Sequence, residues 1–562
     1  MRMMWLLFVA LIGSPLHAVA ASSSPAATID ALLDETDWRG RPGLAVGVFH
    51  HGKPVYVATR GTADLEHGSP VTARTVFNVA SVSKHVTAYA VLLLVRDGKL
   101  QLDDDVRKYL PGVPDFGESI TIRQLIFHTS GLREEGNLFI MAGRVKEDYR
   151  RQQQVLNLVA AQRALNFAPG TDHLYSNTNY VLLAQLVSKV SGRSFRQFTS
   201  ERIFAPLGMT QSFFRDDIHE LIPGKANSYG RDATDRHWRS HLDNHDLLGS
   251  INLFTTVHDM LLWAGNLSRP TVGDDALVAQ LLEMGRLNDG TALGYGYGLT
   301  PVVFAGHEGK GHGGWTAEFR ADFNYFPRDD FAVVILRNSN GDTAALNQAI
   351  VRAWLGDAGG KPLVPLKATL SAAQIEALEG HYLAAHGPLI TLQRSGADIA
   401  ITIRSYGLEA ATLNARVDGT LDVNDSLRAW NNFLTPLRDP QGRVTALRES
   451  NGGGRRDEIY QRVSLVTPSP RELAALAGNY RSDELDITYR IAVEHGRLVV
   501  NSLWMTEALP LSPTAQDQFE SPEWWLQTVQ FKRDANDAVT GFAVHAGRVR
   551  NVFFTRVDAA SR

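Results

Sequence analysis

The C-terminal third of the chain contains an internal repeat, which restricts the fold of this region more than any other feature of the sequence. The stretch "QIEALEGHY" returns as "RELAALAGNY", and "DPQGRVTAL" returns as "DANDAVTGF". Each copy holds short strand patterns separated by turn residues. We therefore predict two small antiparallel β-barrels, residues 371–465 and 466–560. Three pairs of landmarks keep their order and nearly their spacing: Tyr382 and Tyr480, Gly396 and Gly496, and Val463 and Val557.

A Gly/Pro-rich linker, residues 358–370, separates the repeats from a segment of different character. Residues 27–357 begin with an amphipathic helix and an alternating hairpin at Gly43–Gly61. They continue with helical patterns and return to strands at Gly309–Gly341, before a last helix at Asp342–Gly356. We predict one α/β domain in which both ends of the segment build an antiparallel sheet and the middle supplies a helical insertion.

The N-terminus has the three regions of a secretory signal peptide. Arg2 precedes the apolar run "MMWLLFVALIG", and Ala18, Val19 and Ala20 form a small-x-small cleavage pattern. We predict that residues 1–20 are removed, which would leave no membrane attachment. The chain has no cysteine, which excludes disulfides and thiolate chemistry. Export without disulfides favours a bacterial periplasm or the exterior of a bacterium.

The charge pattern gives no reason to expect nucleic acid, and no metal site is apparent in the sequence. The formal charge is −4 over 562 residues, without a block of like charge. His237, His241 and His245 lie in a polar segment without an apolar stripe, so we predict that they are solvated rather than metal ligands. No cofactor is expected. The sequence leaves the oligomeric state open, and a homodimer is one arrangement that it allows.

The stretch "NVASVSKHVTAYAVLLL" places a hydroxyl and an amine together where a helix begins. Ser81 and Lys84 are three residues apart, and residues at this spacing share a helix face. An amine beside a hydroxyl at a helix N-terminus can activate the hydroxyl as a nucleophile. An isolated Ser-x-x-Lys is more often a capped helix with an exposed lysine. The interpretation therefore depends on the rest of the chain.

Two further motifs supply the other parts of an acyl-transfer site. In "HLYSNTNY", Tyr175 is a phenol that can relay a proton if nearby cations lower its pKa. Asn177 in the same stretch can both donate to and accept from a substrate amide. Taken alone, a Tyr-x-Asn is more often a loop tyrosine that packs on the core.

The stretch "GKGHGGWTAEF" places His312 at the start of a strand, followed by two glycines. Because Gly313 and Gly314 have no side chains, a ligand can approach the backbone closely. The N–H of Trp315 can then join that of Ser81 in an oxyanion hole. Taken alone, the motif is more often a turn with a surface histidine.

Together, Ser-x-x-Lys, Tyr-x-Asn and His-x-Gly resemble the penicillin-recognising serine hydrolases, a family with class C β-lactamases, DD-peptidases, esterases and D-aminopeptidases. The stretches "LDDDVRKYLP", "ITIRQLIFHTSGL" and "GYGYGL" are also family-like, and the resemblance covers Ile29–Gly356. It implies a β-lactamase/transpeptidase-like catalytic domain, with β-lactams as candidate inhibitors. The implied roles are nucleophile for Ser81, base for Lys84, proton relay for Tyr175, substrate contact for Asn177 and pocket wall for His312.

One departure from the family pattern bears on the substrate. Many relatives have Lys-Thr-Gly where this chain has His312, Gly313 and Gly314. In those relatives the lysine and the threonine hydroxyl can hold a substrate carboxylate. An unperturbed His312 is mostly neutral near pH 7, so this motif favours substrates without a carboxylate near the reacting bond. D-aminopeptidases of the family share His-x-Gly and two lipocalin-like barrels, and the whole chain resembles them.

In such D-aminopeptidases a loop of the last barrel reaches toward the active site. The candidate here is Ser512–Trp525, whose acids Asp517 and Glu520 are predicted to bind the substrate ammonium. A solvated loop between strands explains this segment equally well.

The sequence therefore predicts an exported serine hydrolase that acts on a small peptide or amide substrate through an acyl-enzyme on Ser81. Release of N-terminal D-amino acids is the preferred activity. One alternative is an esterase or β-lactamase-like hydrolase of the same family. Another is a peptidoglycan- or peptide-binding protein without catalysis, against which Ser81, Lys84 and Tyr175 argue.

Overall fold

A computed structural model describes residues 24–145, 148–231, 237–359, 367–423, 432–451 and 457–558. The predicted signal peptide, residues 1–20, and part of the predicted linker lie outside the described residues. None of the described helices is long and apolar enough to cross a membrane.

A six-stranded antiparallel sheet forms the centre of the N-terminal domain. The strand Leu44–His50 pairs with its hairpin partner Lys53–Arg60 on one side and with Phe331–Arg337 on the other. The prediction that both ends of the segment share one sheet is thus confirmed. In their order across the sheet, the strands are Thr300–Phe304, His307–Thr316, Phe319–Phe326, Phe331–Arg337, Leu44–His50 and Lys53–Arg60.

Both faces of this sheet are covered. Successive side chains of a strand point to opposite faces, so Val46 and Val48 pack with the terminal helices Pro25–Asp34 and Ala344–Leu355. Phe49 belongs to the larger core of the other face, which the helical insertion supplies. The continuous apolar run of the strand follows from burial on both sides.

The helical insertion is built around the helix Ser83–Arg96, in which every residue from Ser83 to Leu94 is buried. A helix that is apolar nearly all round belongs in a core. The remaining helices of the insertion are Ile122–Ile126, Glu135–Met141, Gln152–Ala161, Asn177–Ser191, Phe195–Thr199, Val257–Ser268 and Asp275–Leu281, with 3₁₀ turns at Ala80–Val82 and Val106–Lys108 and a π-helical turn at Ser200–Phe204. Short strands lie at Thr62–Asp64, Ser69–Pro70, Phe77–Asn78, Phe213–Phe214, Tyr229–Arg231, Trp238–Ser240, Leu253–Thr255, Met284–Arg286 and Ala292–Gly296.

Two closed eight-stranded antiparallel barrels follow, which confirms the predicted fold class. The strands of the first barrel are Gly380–Leu383, Leu389–Ser395, Asp398–Ile403, Leu408–Arg416, Leu421–Val423, Asn432–Arg438, Val444–Asn451 and Glu458–Val463, with a short edge strand at Lys367–Ala368. The strands of the second barrel are Gly478–Ser482, Ile487–Glu494, Arg497–Asn501, Leu509–Ala515, Gln518–Glu520, Thr528–Arg533, Val539–Ala546 and Val549–Val557.

The sequence repeat corresponds to one structural device used twice. Each barrel begins with a capped helix, Ala372–Leu378 in the first and Pro470–Leu476 in the second. The Tyr382 hydroxyl donates to the Leu378 carbonyl oxygen at 2.8 Å, and the Tyr480 hydroxyl donates to that of Leu476 at 2.7 Å. Both tyrosines are fully buried. The repeated tyrosine therefore ties each leading helix to its first strand.

The second barrel is docked on the helical insertion through a buried arginine. The Arg133 side chain is 1% exposed and pairs with Glu484 at 2.7 Å. Its other nitrogens donate to the carbonyl oxygens of Arg550 at 3.0 Å and Asn551 at 2.7 Å. Leu138, on the following helix, lies in the hydrophobic core of the barrel.

We expect Glu484→Gln to lower the free energy of unfolding by about 3–5 kcal/mol, because the Arg133 charge would remain buried without its partner. Thermal unfolding and limited proteolysis of the full chain would measure the loss. The matched control is Asp37→Asn, which removes an ion pair to Arg39 whose side chains are 56% and 91% exposed. Such a surface pair contributes little. Equal melting temperatures of the two variants would contradict the conclusion that the buried Arg133–Glu484 pair holds the second barrel on the catalytic domain.

Candidate active site

Ser81 lies in the 3₁₀ turn Ala80–Val82, immediately before the central helix. Ala80 has a φ of 49°, in the left-handed region that L-residues rarely adopt. Its backbone N–H donates to the Asn78 side chain at 2.9 Å, and Asn78 donates in turn to Asp243 at 2.5 Å. The turn that presents the serine is therefore held by a buried polar network.

Lys84 contacts three acceptors and is completely buried. Its Nζ lies 3.0 Å from Ser81 Oγ, 2.8 Å from Asn177 Oδ1 and 2.8 Å from the Ser250 carbonyl oxygen. Burial lowers the pKa of Lys84 to about 7. Because the amide and carbonyl oxygens can only accept, they take two N–H groups of a neutral amine. The lone pair is then left for the serine proton.

Tyr175 stands beside this pair, with Lys84 Nζ 4.8 Å from the centre of its ring. Burial raises the pKa of Tyr175, although a contact with Ser81 and the charge of Arg548 act in the opposite direction. The condition that nearby cations lower the pKa of this phenol is not met, because desolvation outweighs them. Tyr175 is suited to donate a proton rather than to act as a phenolate.

Asn177 is fixed by an acid, Glu134, that no sequence motif predicted. Glu134 accepts from the Asn177 backbone N–H at 2.5 Å and from its side-chain amide at 2.7 Å. The first bond caps the helix Asn177–Ser191 from outside the helix. Next to it, burial raises the pKa of Glu135 to about 8. The only sequence sign of this site was a pair of acids in "SGLREEGN".

His312 lies on the strand His307–Thr316 with its ring centre 6.1 Å from that of Tyr175. Its Nδ1 lies 2.5 Å from the Gly313 carbonyl oxygen, and its Nε2 lies 3.5 Å from the Tyr295 hydroxyl. A carbonyl oxygen only accepts, so Nδ1 carries the proton and Nε2 has the lone pair. Burial, with the nearby Lys84, lowers the pKa of His312 to about 3. The ring is therefore neutral near pH 7, and its role as a pocket wall stays a prediction.

The two glycines after His312 have different surroundings. A Cβ on Gly314 would lie 2.2 Å from the Val79 carbonyl oxygen, so only glycine lets this strand approach the turn of Ser81. A Cβ on Gly313 would meet Asp322 at 3.2 Å, which is a milder contact. The close approach is thus made by backbone of the protein itself, rather than by a ligand as we had expected.

Beyond Gly311, the strand His307–Thr316 has an open edge in the described sheet, because its neighbour starts at Thr300 opposite Gly311. The free N–H groups of such an edge are available to a substrate. Trp315 lies on this edge with its side chain exposed, and its indole donates to the Ala317 carbonyl oxygen at 2.9 Å.

Asp517 and Glu520 are not brought to these residues. Asp517 forms an ion pair with Arg533 at 2.8 Å inside the second barrel. Glu520 faces Arg404 of the first barrel at 3.6 Å, and burial raises the pKa of Glu520 to about 7. The predicted role of Ser512–Trp525 in the site is corrected by this placement. The divergence of Ser512–Trp525 from the first repeat showed that this segment is distinctive. It could not show which face of the barrel docks on the catalytic domain, because tertiary contacts decide that.

A different part of the second barrel reaches the site. The turn between the strands Val539–Ala546 and Val549–Val557 places the Arg548 guanidinium 4.8 Å from the Tyr175 ring centre and 3.4 Å from Glu134. Two residues on, Arg550 pairs with Asp172 at 3.2 Å. The sequence carries no sign of this role for Arg548, because nothing in a barrel turn shows which domain the turn contacts.

His245 also differs from its predicted solvated state. Its Nε2 lies 2.6 Å from Asp243 and 3.0 Å from the Thr316 hydroxyl, and its side chain is 14% exposed. Asp243 is the residue that holds Asn78. The pair therefore connects the turn before Ser81 with the end of the strand that carries His312.

Among the described residues, Asp64, Glu66 and His67 have potential metal-ligand atoms within 4.8 Å of one another. Asp64 already pairs with His67 at 2.8 Å and accepts from the Glu66 backbone at 2.9 Å. A hydrogen-bonded turn accounts for this cluster without an ion.

A serine beside a buried lysine, a tyrosine and an open strand edge is the site of a serine hydrolase. A family model described as Beta-lactamase matches residues 29–356. The chain belongs to the beta-lactamase family.

Similar proteins match most of the chain. A D-aminopeptidase of Gluconobacter oxydans (strain 621H) is 26% identical over 538 residues, covering 92% of this chain and 96% of that protein. A D-aminopeptidase of Brucella canis is 25% identical over 536 residues, with the same coverage. Among solved structures, an octameric penicillin-binding protein homologue from Pyrococcus abyssi has a TM-score of 0.53 at 21% identity, covering 77% of this chain and 99% of that one. SurE has a TM-score of 0.54 at 23% identity, covering 78% and 99%.

We expect Ser81→Ala to abolish turnover and covalent labelling by a fluorophosphonate, while Ser83→Ala keeps labelling per folded molecule. Ser83 is fully buried, donates to the Ala80 carbonyl oxygen at 2.5 Å and accepts from Leu253 at 3.1 Å, so its role is structural. Labelling measured on the soluble fraction separates folding from reactivity. Equal loss of labelling in both folded variants would remove the assignment of Ser81.

The acidic limb of the pH profile follows the state of Lys84, because only the neutral amine can accept a proton. We expect kcat/KM to rise tenfold per pH unit below about pH 7 and then to level off. Glu134 raises the pKa of Lys84, so Glu134→Gln should move the limb to lower pH. Glu135→Gln should move the limb less than Glu134→Gln, because Glu135 raises the pKa of Lys84 less than Glu134 does and holds a proton below about pH 8. An unmoved limb in the first variant would contradict this coupling.

Proposed function

We propose that this chain is an exported aminopeptidase that releases N-terminal D-amino acids from peptides or amides through an acyl-enzyme on Ser81. Relatives that match 92% of the chain, barrels included, are D-aminopeptidases. The observation that carries the proposal is the Glu134 carboxyl group beside Asn177 and Lys84, since an aminopeptidase needs an acid near the scissile bond to bind the substrate ammonium.

The chemistry proceeds in two halves. Ser81 Oγ attacks the scissile carbonyl carbon while its proton passes to the neutral amine of Lys84. The carbon–nitrogen bond then breaks, and the leaving amine takes a proton through the Tyr175 hydroxyl. A water molecule attacks the resulting ester, gives up its proton along the same path, and releases the acid and the free serine.

Two backbone donors stabilise the negative oxygen of each tetrahedral intermediate. One is the N–H of Ser81 at the start of its turn, and the other is the N–H of Trp315 on the open strand edge. Gly314 makes this pairing possible, because any side chain there would push the strand away from Val79.

The amine of the substrate is bound on the Glu134 side. Each oxygen of Glu134 accepts one bond from Asn177, and Oε1 also lies 3.4 Å from Arg548. The second lone pair of Oε2 can then accept from an ammonium group. This acid lies in the catalytic domain rather than in the segment of the second barrel where the sequence suggested it.

Export is proposed from the sequence alone. The signal-peptide pattern of residues 1–20 and the absence of cysteine support a periplasmic or secreted bacterial enzyme. Mass determination of the mature N-terminus after expression with the full leader tests this part.

The activity is tested with a panel of p-nitroanilides and other acyl donors. We expect D-alanine p-nitroanilide to be cleaved at least 10-fold more efficiently than the N-acetylated D-compound, which has no ammonium to bind Glu134. The same margin is expected over the L-isomer, because inversion at Cα moves the ammonium away from that acid. Nitrocefin should be hydrolysed poorly, since His312 offers no cation for its carboxylate. Efficient cleavage of N-acetylated substrates or simple esters alone would favour the esterase alternative.

A further inference from the structure

A cleft of about 440 Å³ lies between the first and last helices of the catalytic domain, at the end of its sheet. A volume of this size is typical of small-molecule sites. Its apolar floor is formed by Leu33, Leu44 and Leu346, which belong to the hydrophobic core beneath the two terminal helices. The cleft therefore lies on the face of the sheet opposite the helical insertion and Ser81.

Two tryptophans add aromatic surface to this cleft. Trp38 packs on the same core and donates its indole N–H to the Leu33 carbonyl oxygen at 2.8 Å. Trp238 lines the cleft from the short strand Trp238–Ser240. Indole rings offer a large apolar face against which another aromatic ring can stack. The cleft is therefore suited to a ligand with an aromatic body.

Arg337, at the end of the strand Phe331–Arg337, brings a cation to the same cleft. Its Nε is buried and has no hydrogen-bond partner in the described part of the chain. Burial lowers the pKa of Arg337, although Asp342 acts in the opposite direction. Asp342 itself accepts from the backbone N–H groups of Ala344 and Ala345 at 2.9 Å and 3.1 Å. Because a buried guanidinium nitrogen without a partner is costly, this position calls for an acceptor that the chain does not supply.

The register of the sheet adds further positive charge beside Arg337. Arg320 lies directly opposite Arg337 on the neighbouring strand, and like charges in such a pair destabilise a sheet. Burial lowers the pKa of Arg320, Glu318 raises it, and the charge of Arg337 lowers it further. Arg41 lines the cleft as well. An anion bound beside Arg337 relieves this repulsion.

We propose that this cleft is a second ligand site, which binds a small carboxylate with an aromatic body. The carboxylate pairs with Arg337, whose planar fork can hold both oxygens, and Arg41 adds positive charge. The ring of the ligand lies against Trp38 and Trp238, over the leucine floor. This site is separate from the acyl-transfer chemistry at Ser81 and does not depend on the proposed function.

The test compares 3-phenylpropionate with 3-phenylpropionamide, which has the same shape without the charge, and with propionate, which lacks the ring. Binding to the full chain is measured by isothermal titration calorimetry. The variants are Arg337→Met, Arg337→Lys and Arg41→Met. Arg39→Met is the matched control, because Arg39 lies near Arg41 in the sequence but pairs with Asp37 at 2.8 Å.

We expect the unaltered chain to bind 3-phenylpropionate about 10-fold more tightly than either the amide or propionate. Arg337→Met should remove the preference for the acid over the amide, and Arg337→Lys should keep part of it, because a lysine supplies charge without the fork. Arg41→Met should lower the preference less, since Arg41 is exposed to solvent. Arg39→Met should leave it unchanged. Equal affinity for acid and amide, or a preference that survives in Arg337→Met, would overturn the proposal.

Thermal unfolding separates a ligand-binding role of Arg337 from a structural one. Without ligand, Arg337→Met should melt at or above the temperature of the unaltered chain, because the substitution removes a buried charge that has no partner. 3-Phenylpropionate should raise the melting temperature of the unaltered chain but not that of the variant. A lower melting temperature with an unchanged acid-to-amide ratio would show a structural role only.

A free acid and the C-terminus of a peptide present the same carboxylate. An N-acetylated tripeptide that ends in phenylalanine distinguishes them. Tighter binding of the tripeptide than of 3-phenylpropionate would identify a peptide C-terminus as the ligand, and the reverse order would identify a free acid. Both results support the carboxylate site, whereas the absence of saturable binding of either compound at millimolar concentration would reject it.

Discussion

The buried contact of Arg133 with the second barrel is the interaction on which the rest of the site depends. The side chain of Arg133 is held by Glu484 and two barrel carbonyl groups, while its own carbonyl oxygen accepts from Ser176 at 3.3 Å and Thr178 at 2.7 Å. Those residues flank Asn177. Glu134 follows directly and binds Asn177 itself, so a single short segment transmits the position of the barrel to the catalytic amide.

Burial then sets the chemistry inside this frame. Desolvation lowers the pKa of Lys84 and raises the pKa of Tyr175, which gives a neutral base and a neutral proton donor near neutral pH. Glu134 and Arg548 act on Lys84 in opposite directions. The catalytic domain supplies Glu134 and the second barrel supplies Arg548. The pKa of Lys84 therefore depends on two domains that lie far apart in the sequence.

Much of the fold could be predicted because local sequence patterns determine it. The strand Leu44–His50 is apolar throughout since both of its faces are buried, and the paired tyrosines Tyr382 and Tyr480 recur because each closes the same helix–strand corner. Ser81 and Lys84 were recognisable together because the 3₁₀ turn and helix bring residues three apart into contact. Long-range contacts produce no periodic pattern in the sequence. The contacts of His245 with Asp243 and Thr316 could therefore not be predicted, and His245 was wrongly expected to be solvated.

The sequence by itself determined the order of domains, the two barrels and the serine–lysine pair, since each depends on neighbours within a few turns of chain. Only the tertiary structure decided which acid and which cation complete the site. Glu134 meets Asn177 across 43 positions and Arg548 meets Glu134 across 414. A barrel exposes many similar turns, and the sequence does not show which turn meets the catalytic domain. The turn Gly547–Arg548 reaches the site and Ser512–Trp525 does not, because Arg133 and Leu138 are buried at the end of the barrel that holds the first turn.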